Sequence, residues 1–506
     1  MHHKVKSFAE IQDVLEKWRS QGYKIVQCHG VFDLLHPGHI RHFKEAKNQG
    51  DKLVVTVTPD RFVNKGPGRP AFQENLRLES LASLEQIDCV VLNETSDAVY
   101  AIEKIKPNVY VKGKEYADAS KDVTGKIVAE AEAVEKWGGS IFYTDDIVFS
   151  SSSLLNQHFS NMPPKTVEFL QKMKTLYSSE EVLEKIESLS DRTVVVIGDA
   201  IIDEYQYVEP LGQSGKGTHM VASHLDKEVF LGGSLIIANH LAQFVKKVYL
   251  ITALGDDCIH QDFIRSTLYP NVEPCFVYHS KATLAKKRYI LKDGNNLSKL
   301  FETYTSNTSL LEESQTEQVI QLLQEKEKNA HYVLACDFGN GFTNPQIVDA
   351  IGSISSFLAL NTQTNGGNRG FNCITNYRKA DFISLNEPEL RLAAQDRSSR
   401  LEGIASDIMG FMNASCLSAT KGVHGVFCME NENHFYIPPF VTNSIDRVGA
   451  GDSYFALTSL CLSKGFPLLL SGFIGSVAAA LNVQVVGNRE SIQKTSLCKF
   501  ITRLLK

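Results

Sequence analysis

The sequence lacks the features that would place the protein in a membrane, outside the cell or on nucleic acid. Its ten cysteines are scattered singly with no CxxC pair, which indicates reduced thiols. The N-terminal stretch has no apolar core of the kind a signal peptide needs, and apolar stretches such as 473–486 are too short to cross a bilayer. No basic stripe accompanies the net charge of −6. We therefore expect a cytoplasmic protein that binds neither nucleic acid nor a membrane.

The length and the hydrophobic pattern predict two domains of one kind. A chain of 506 residues exceeds what a single hydrophobic core usually supports. Short Val/Ile-rich runs alternate with helical patterns from residue 24 to residue 143, and the alternation starts again at 193–198. This pattern is typical of parallel sheets with crossover helices. The predicted fold class is therefore α/β with two doubly wound parallel-sheet domains, at 1–160 and 191–506.

Two other segments of the chain depart from that alternation. A polar, helical stretch containing Pro163-Pro164 separates the two blocks, so we assign 161–190 as a linker. Segment 204–231 lacks long helical periodicity and contains three glycines, which predicts a small strand-rich flap beside the second sheet.

The first candidate site follows the predicted strand 24–28. Pro37 suits the first turn of a helix, which places His36 and His39 together at a helix start. Free N–H groups there favour a bound phosphate, and Gly38 lets it approach the backbone. Two imidazoles at this point can donate hydrogen bonds to an α-phosphate during in-line attack. The same His spacing also suits a metal pair, but no third ligand is obvious nearby.

These residues carry a family resemblance. The run G-V-F-D-L-L-H-P-G-H resembles the G-x-F-D-x-x-H-x-G-H signature of the cytidylyltransferase-like nucleotidyltransferases, and later blocks match over about the first 155 residues. The resemblance implies a Rossmann-like fold, with His36, His39 and Lys112 catalytic. It assigns nucleotide binding to Gly30, Phe32, Asp33, Gly38, Lys44, Arg69, Arg77, Ser151 and Ser152, with Lys65 as a further cation. The blocks around Arg69 and Lys112 favour ATP over CTP, because they are closer to the adenylyltransferase half of the bifunctional heptose enzymes.

The second candidate site is the run D-R-V-G-A-G-D-S-Y, which begins at Asp446. Gly449 and Gly451 expose N–H groups at the start of a predicted helix, which is an anion hole for a transferring phosphoryl group. Asp452 then lies where it can take the proton from an attacking hydroxyl. A lone motif of this kind would usually be an ordinary helix cap.

The run resembles the second signature of the ribokinase-like (PfkB) sugar kinases, and elements of that family follow in order over about 310 residues. The resemblance implies a ribokinase-like fold in which segment 204–231 is a lid that closes over the sugar and mediates a homodimer. It assigns the sugar to Asp203, Gly232, Gly233 and, on a likely strand, Arg288 together with Lys286. It assigns ATP and the anion hole to Asn386, Glu389, Thr420, Gly422, Gly425, Gly449, Ala450 and Gly451, with Glu389 holding Mg²⁺ indirectly.

Three departures from the kinase pattern concern the sugar pocket and the motif. Ile236 stands where heptose kinases usually carry Asn, so a hydroxyl-binding amide is replaced by a hydrocarbon. Segment 360–365 replaces a stretch that often contacts a substrate phosphate, and Arg447 stands where the family favours Thr.

Together the two resemblances imply a bifunctional nucleotide-sugar enzyme, similar to the heptose 7-phosphate kinase and heptose 1-phosphate adenylyltransferase enzymes but with the domain order reversed. The expected substrates are a sugar phosphate and ATP with Mg²⁺, and CTP is possible in the N-terminal domain. Two alternatives stay open. One is a CTP-dependent transferase acting on a polyol or sugar phosphate. The other is a C-terminal half that only binds a ligand or dimerises.

Overall fold

A computed structural model describes residues 3–63, 65–114, 126–144, 162–293, 296–305 and 311–506. The chain divides into two compact units, one of Met1–Asn161 with Cys498–Lys506 and one of Met162–Leu497. Residues 162–190 therefore group with the second unit, and the last nine residues group with the first. The roles predicted for 1–160, 161–190 and 191–506 as domain, linker and domain stay predictions.

The first unit is a parallel six-stranded sheet in the order β1-β4-β3-β2-β5-β6. Its strands are β1 (Val5–Lys6), β2 (Ile25–Gly30), β3 (Lys52–Val57), β4 (Cys89–Leu92), β5 (Val109–Gly113) and β6 (Ser140–Thr144). Its helices are α1 (Phe8–Ser20), α2 (Pro37–Lys47), α3 (Glu74–Ala82), α4 (Val99–Ile105) and α5 (Lys126–Lys136). The strand order reverses between β2 and β5, and ligands bind open α/β sheets at such a switch point.

Apolar residues of β2 and β3 explain why this sheet is covered by helices. Val26 and Val55 are fully buried and form one cluster with Phe43 of α2 and Leu81 of α3. Strands that are apolar on both faces must be covered on both sides, which a parallel sheet with crossover helices achieves. The packing holds α2 beside the carboxyl end of β2.

The second unit contains a nine-stranded sheet in the order β11-β10-β7-β14-β15-β16-β17-β18-β19 and a four-stranded sheet in the order β13-β12-β8-β9. The strands of the large sheet are β7 (Thr193–Gly198), β10 (Lys247–Gly255), β11 (Val272–His279), β14 (Tyr332–Asp337), β15 (Phe357–Thr362), β16 (Phe382–Asn386), β17 (Cys416–Thr420), β18 (Val426–Glu430) and β19 (Asn433–Ile437). It is parallel up to β17, and β18 and β19 add an antiparallel edge that the sequence did not indicate. The small sheet consists of β8 (Ala200–Gln213), β9 (Met220–Gly233), β12 (Ala285–Asp293) and β13 (Asn296–Tyr304).

The helices of the second unit begin before its first strand, and the last of them continues into the residues that group with the first unit. They are α6 (Pro164–Leu176), α7 (Ser179–Glu187), α8 (Ser234–Ala242), α9 (Gln261–Thr267), α10 (Glu313–Glu327), α11 (Pro345–Gly352), α12 (Glu387–Ala393), α13 (Leu401–Phe411), α14 (Ala450–Ser463), α15 (Leu468–Asn482) and α16 (Lys494–Leu505). The predicted α/β class is confirmed in both units, and the flap predicted at 204–231 is the β8–β9 pair of the small sheet. Among the described residues, no helix is both long and apolar enough to cross a bilayer.

Candidate active sites

The first site lies where β2 ends and α2 begins. His36 is the N-cap of α2, with Gly38 and His39 in its first turn. The rings of His36 and His39 stack with their centroids 3.9 Å apart, and the Phe32 ring meets His39 edge-on at 5.5 Å. Phe32 itself has a φ of +49°, and a Cβ on Gly30 would lie 2.9 Å from the Phe32 ring. The structure therefore brings these five predicted residues together at the switch point of the sheet.

Both imidazoles are held in the neutral form. Burial lowers the pKa of His36, and it lowers the pKa of His39 to about 3, because a proton on the buried His39 would also be repelled by Lys65 and by any proton on His36 or His42. The Nδ1 atom of His36 is buried with no hydrogen-bond partner in the described part of the chain. A neutral imidazole still carries one N–H donor, and a buried unpaired nitrogen is costly unless a ligand completes it. The pair is therefore suited to hydrogen-bonding a phosphate oxygen.

Asp33 fixes the loop that carries Arg69. Its buried carboxylate accepts hydrogen bonds from the backbone of Ala71 at 2.7 Å and of Phe72 at 3.1 Å, and from Arg69 Nη1 at 3.1 Å. An ion pair between two side chains that are 5% and 2% exposed is expensive to break on one side only. Asp33 thus positions the Arg69 loop beside the histidines, while direct contact of either residue with a nucleotide stays a prediction.

Arg77 makes hydrogen bonds to other groups within the first unit. Its side chain is buried, and it donates to the carbonyls of Val31, Phe72 (3.0 Å) and Thr58 (2.8 Å) and to Asp60 Oδ1 at 2.7 Å. Each of the three guanidinium nitrogens has a partner in these bonds. Arg77 therefore holds together the loops after β2 and β3, and contact with a triphosphate stays a prediction that these bonds do not support.

Lys112 reaches the same edge of the sheet from β5, the neighbour of β2. Its ammonium forms an ion pair with the buried Glu130 at 2.6 Å. Lys44 is exposed on the later turns of α2. Ser151 and Ser152 lie outside the described residues. The predicted roles of these four candidates stay predictions.

The second site lies at the start of α14. Gly449 is its N-cap with a φ of +80°, and a Cβ there would lie 2.0 Å from Asn488 Oδ1. A Cβ on Gly451 would meet no atom within 4 Å, so that position opens onto free space. Ala450 and Asp452 complete the first turn, where backbone N–H groups are available to an anion. The arrangement is that of the predicted anion hole with a carboxylate beside it.

Asp452 has charged neighbours from three other elements. Burial raises the pKa of Asp452 to about 7, with the carboxylates of Asp203 and Glu389 raising it and the Lys286 ammonium lowering it. The structure therefore brings the predicted base, sugar-binding residue and nucleotide-side glutamate into one site. A pKa near neutrality suits a group that must take a proton at physiological pH.

On the sugar side, Asp203 of β8 pairs with Arg288 of β12, whose Nε contacts Glu302 Oε2 at 3.1 Å. A Cβ on Gly232 would lie 2.6 Å from Asp203 Oδ2, so only glycine lets β9 approach the carboxylate this closely. Gly233 has a φ of +58° before α8 begins. The structure therefore brings together the predicted sugar-binding residues, with Asp203 already paired to a cation.

On the nucleotide side, Asn386 and Glu389 form a reciprocal capping box at the start of α12. The Glu389 carboxylate also accepts from Thr364 N at 3.0 Å, and burial raises its pKa. Thr364 belongs to segment 360–365, so this departure from the kinase pattern supports Glu389 through a backbone N–H that needs no particular side chain. Glu389 is therefore shielded from bulk water, and its charge acts on Asp452.

The glycine loop after β17 is built around close backbone approach. Thr420 Oγ1 lies 3.5 Å from Leu385 O, and Gly422 and Gly425 flank the turn that leads into β18. A Cβ on Gly425, which has a φ of +84°, would lie 2.1 Å from Ile437 O. The geometry explains both glycines structurally, and their contact with a nucleotide stays a prediction.

The contacts around Asp446 join segments that lie far apart in the chain, so the sequence analysis did not predict them. Asp446 is buried and accepts hydrogen bonds from Tyr205 Oη at 2.5 Å, Lys299 Nζ at 2.7 Å and Gly487 N at 3.0 Å. Tyr205 lies on β8 and Lys299 on β13, so the small sheet is tied to the residue that introduces the anion-hole run. No spacing in the sequence signals such a contact.

A pair of buried carboxylates was also missed. Asp199 follows β7 and Asp337 ends β14, and these neighbouring strands place the two groups together. Burial and the charge of Asp337 raise the pKa of Asp199 to about 7. Asp337 accepts from Tyr377 Oη at 2.9 Å, and Asp199 borders a cavity of about 280 Å³ with Asn340.

Two departures from the kinase pattern remain, Ile236 and Arg447, and the structure shows the surroundings of each. Ile236 is buried in α8 and borders a cavity of about 300 Å³ that is also lined by Asn239 and Asn488. Both amide atoms of Asn488 are buried without a hydrogen-bond partner among the described residues. Arg447 Nε reaches Ser444 Oγ at 3.3 Å. The Ile236 side chain therefore packs beside this cavity at a position where Asn would offer an amide for hydrogen bonding.

Two protein-family models match different parts of the chain. The model described as pfkB family carbohydrate kinase matches residues 191–495, more than half of the chain. The chain belongs to the pfkB family of carbohydrate kinases. A second model, described as cytidylyltransferase-like, matches residues 28–157 and covers His36, His39 and Lys112. The family relationships predicted from both motifs are confirmed.

Individual relatives agree with these matches over a shorter span. The bifunctional protein HldE of Methylobacillus flagellatus is 38% identical over 141 residues, which is 28% of this chain and 28% of the relative. HldE of Aliarcobacter butzleri is 40% identical over 128 residues, 25% of this chain and 26% of the relative. The matched part therefore spans less than a third of either relative. Escherichia coli phosphofructokinase-2 superposes with a TM-score of 0.50 at 15% identity, covering 62% of this chain and 100% of that one, which shows the fold alone.

Proposed function

We propose that the protein phosphorylates a sugar in its kinase part and transfers a nucleotidyl group to the resulting sugar 1-phosphate in its N-terminal part. The observation that carries the proposal is the presence of two chemically different candidate anion sites. One is the stacked His36–His39 pair at the start of α2, and the other is Asp452 at the start of α14. In this proposal 1–160 and 191–506 act as the two catalytic domains, joined by 161–190.

In the kinase step, the Asp452 carboxylate accepts the proton of a sugar hydroxyl while that oxygen attacks the γ-phosphorus of ATP. ADP leaves, and the N–H groups at Gly449–Gly451 stabilise the charge on the transferring phosphoryl group. Asp203 orients the sugar by hydrogen bonding to other hydroxyls, with Arg288 holding its carboxylate in place. The anomeric hydroxyl is the acceptor we propose, because the product must carry a 1-phosphate for the second step.

Mg²⁺ would enter this site with the nucleotide. Among the described residues no group of three or more acidic, His or Cys side chains is placed to hold a metal alone. Mg²⁺ in kinases is normally held by one or two carboxylates together with substrate phosphates and water. Glu389 fits such a role because its carboxylate is fixed by two backbone N–H groups and lies near Asp452. The ion supplies neutralisation of phosphate charge when bound.

In the transfer step, an oxygen of the sugar 1-phosphate attacks the α-phosphorus of the nucleoside triphosphate, and pyrophosphate leaves. His36 and His39 donate hydrogen bonds to the α-phosphate oxygens as negative charge develops on them. Arg69, fixed by Asp33, and Lys112, fixed by Glu130, supply positive charge at the same edge of the sheet. No proton needs to leave the nucleophile, because a phosphate oxygen is already ionised at neutral pH.

The substrate we propose is a heptose phosphate, with ATP as nucleotide donor. The support is the similarity of part of the chain to two bifunctional HldE proteins. We further propose a cytoplasmic homodimer that associates through the lid. Leu211, Met220 and Leu225 on β8 and β9 are 66%, 58% and 54% exposed, and exposed apolar surface of this kind can mark an interaction site.

The test is a coupled assay that scores ADP and pyrophosphate separately. The purified protein receives ATP and Mg²⁺ with a panel of free sugars and sugar 7-phosphates, and separately with sugar 1-phosphates. Asp452→Asn should abolish only ADP release, and His39→Ala should abolish only pyrophosphate release. Replacing ATP by CTP with the sugar 1-phosphates decides the nucleotide.

A second candidate is supported by Ile236 and by the Asp203–Arg288 pair, which together leave fewer free hydrogen-bonding groups for a sugar. In that case the kinase-family part binds a ligand or dimerises without phosphoryl transfer, and the N-terminal part is a CTP-dependent transferase. Pyrophosphate release from CTP but not from ATP, with no ADP release across the whole panel, would support this candidate.

A further inference from the structure

Residues 498–506, which comprise most of α16 and the residue after it, lie outside both family matches, which cover 28–157 and 191–495. They nevertheless belong to the first compact unit, although α16 begins at Lys494 in the second. The sequence of this segment carries no motif that indicates a site.

The segment packs on the loop that carries Arg69. Phe500 is fully buried, and a Cβ on Gly66 would lie 2.4 Å from its ring, so the contact requires glycine at that position. Gly66 also has a φ of +83°, which favours glycine independently. Arg503 Nη1 donates to Pro67 O at 2.6 Å and to Lys65 O at 3.1 Å.

This loop continues directly into the nucleotidyltransferase site. Arg69 pairs with Asp33, which also accepts from the backbone of Ala71 and Phe72. Lys65 is close enough for its charge to lower the pKa of His39. Arg503 thus fixes one part of the loop, Asp33 fixes the next, and the histidines lie beside both.

Segment 498–506 also adds positive charge beside Lys65. The charges of Lys499 and Lys506 act on Lys65, and burial with these cations and Arg69 lowers the pKa of Lys65 to about 8. Burial and the charge of Arg69 lower the pKa of Arg503 to about 10. Mutually repelling cations gathered around one acidic residue destabilise the empty site, and a polyanion relieves that repulsion.

We propose that Arg503 is a positioning residue of the nucleotidyltransferase site, and that segment 498–506 completes this site for binding the triphosphate. The inference rests on the proposed function, since it names the structural support of the same site. Arg503 acts through the loop: it fixes the carbonyls of Lys65 and Pro67, and this sets where Lys65 and Arg69 meet the β- and γ-phosphates.

The test compares Arg503→Met, Arg503→Lys and Lys494→Met in the full chain. Lys494 is the matched control, because it lies on the same helix and makes an ion pair with Glu187 at 2.7 Å, away from the loop. Two readouts are taken. One is the KM for ATP and the kcat in pyrophosphate release from a sugar 1-phosphate. The other is the ATP concentration that half-protects the amides of 65–72 from hydrogen exchange.

Arg503→Met should raise both the KM and the half-protecting concentration about tenfold, with a smaller change in kcat and with ADP release by the kinase part unchanged. Arg503→Lys should recover part of the loss, and Lys494→Met should match the wild type. Wild-type values in Arg503→Met would overturn the inference, as would an equal loss of pyrophosphate and ADP release, which indicates general unfolding. If the wild type releases no pyrophosphate, the proposed function fails, and the exchange readout still decides the role of Arg503.

Discussion

The ionisation of Asp452 should control the pH dependence of sugar phosphorylation. Burial and the carboxylates of Asp203 and Glu389 raise its pKa to about 7, and only the ionised form can accept the proton of a hydroxyl. Activity is therefore lost as the pH falls through about 7. About one tenth of the group is ionised at pH 6 and about nine tenths at pH 8, so kcat/KM should rise about tenfold over that range.

Lys286 provides the decisive perturbation. Its ammonium lowers the pKa of Asp452, so Lys286→Met should move the midpoint upward by about one pH unit. The assay follows ADP release at limiting sugar from about pH 5.5 to pH 9. Phosphate groups of the substrates also titrate there, but they are identical for the two proteins and cannot cause a difference between them. A flat profile in the wild type, or a midpoint that moves downward in Lys286→Met, would refute the reasoning.

Three further substitutions test the internal contacts of each site. Tyr205→Phe removes one donor from the buried Asp446, and the free energy of unfolding in urea should fall by about 1–3 kcal/mol together with kinase kcat. Arg77→Met removes a buried guanidinium that donates to three carbonyls and to the partly exposed Asp60, and should cost about 1–3 kcal/mol in the same measurement; normal stability with a raised KM for ATP would instead place Arg77 on the nucleotide. Asp33→Asn weakens the hold on Arg69 and should raise the KM for ATP in pyrophosphate release about tenfold, while an unchanged KM would contradict the positioning role.

Sequence reasoning was most successful where local pattern and chemistry coincide. The strand 193–198 and the helix that starts at Ala450 were predicted from apolar runs and from glycines before a helix, and both are present. His36 and His39 could be paired because three residues along a helix place side chains on one face. Such features depend only on neighbours in the chain.

The features that escaped prediction depend on residues far apart in sequence. The resemblance assigns Arg77 to nucleotide binding, and nothing local reveals that the carbonyls of Val31 and Thr58 converge on it. The same holds for Arg503, which contacts a loop more than 430 residues earlier in the chain. A charged side chain has many available partners in an unfolded chain, and only the tertiary fold selects among them.

The strand β8 connects the two sides of the kinase site. Asp203 and Tyr205 are two residues apart on this strand, so both side chains point to the same face. Asp203 meets Arg288 where the sugar is expected, while Tyr205 donates to Asp446, which introduces the run that ends in Asp452. Lys299 on β13 donates to the same carboxylate. Because one strand carries both contacts, a shift of the small sheet that moves Asp203 must also move the hydrogen bond that Tyr205 donates to Asp446. In the proposed mechanism, the position of the lid and the geometry of phosphoryl transfer are therefore coupled.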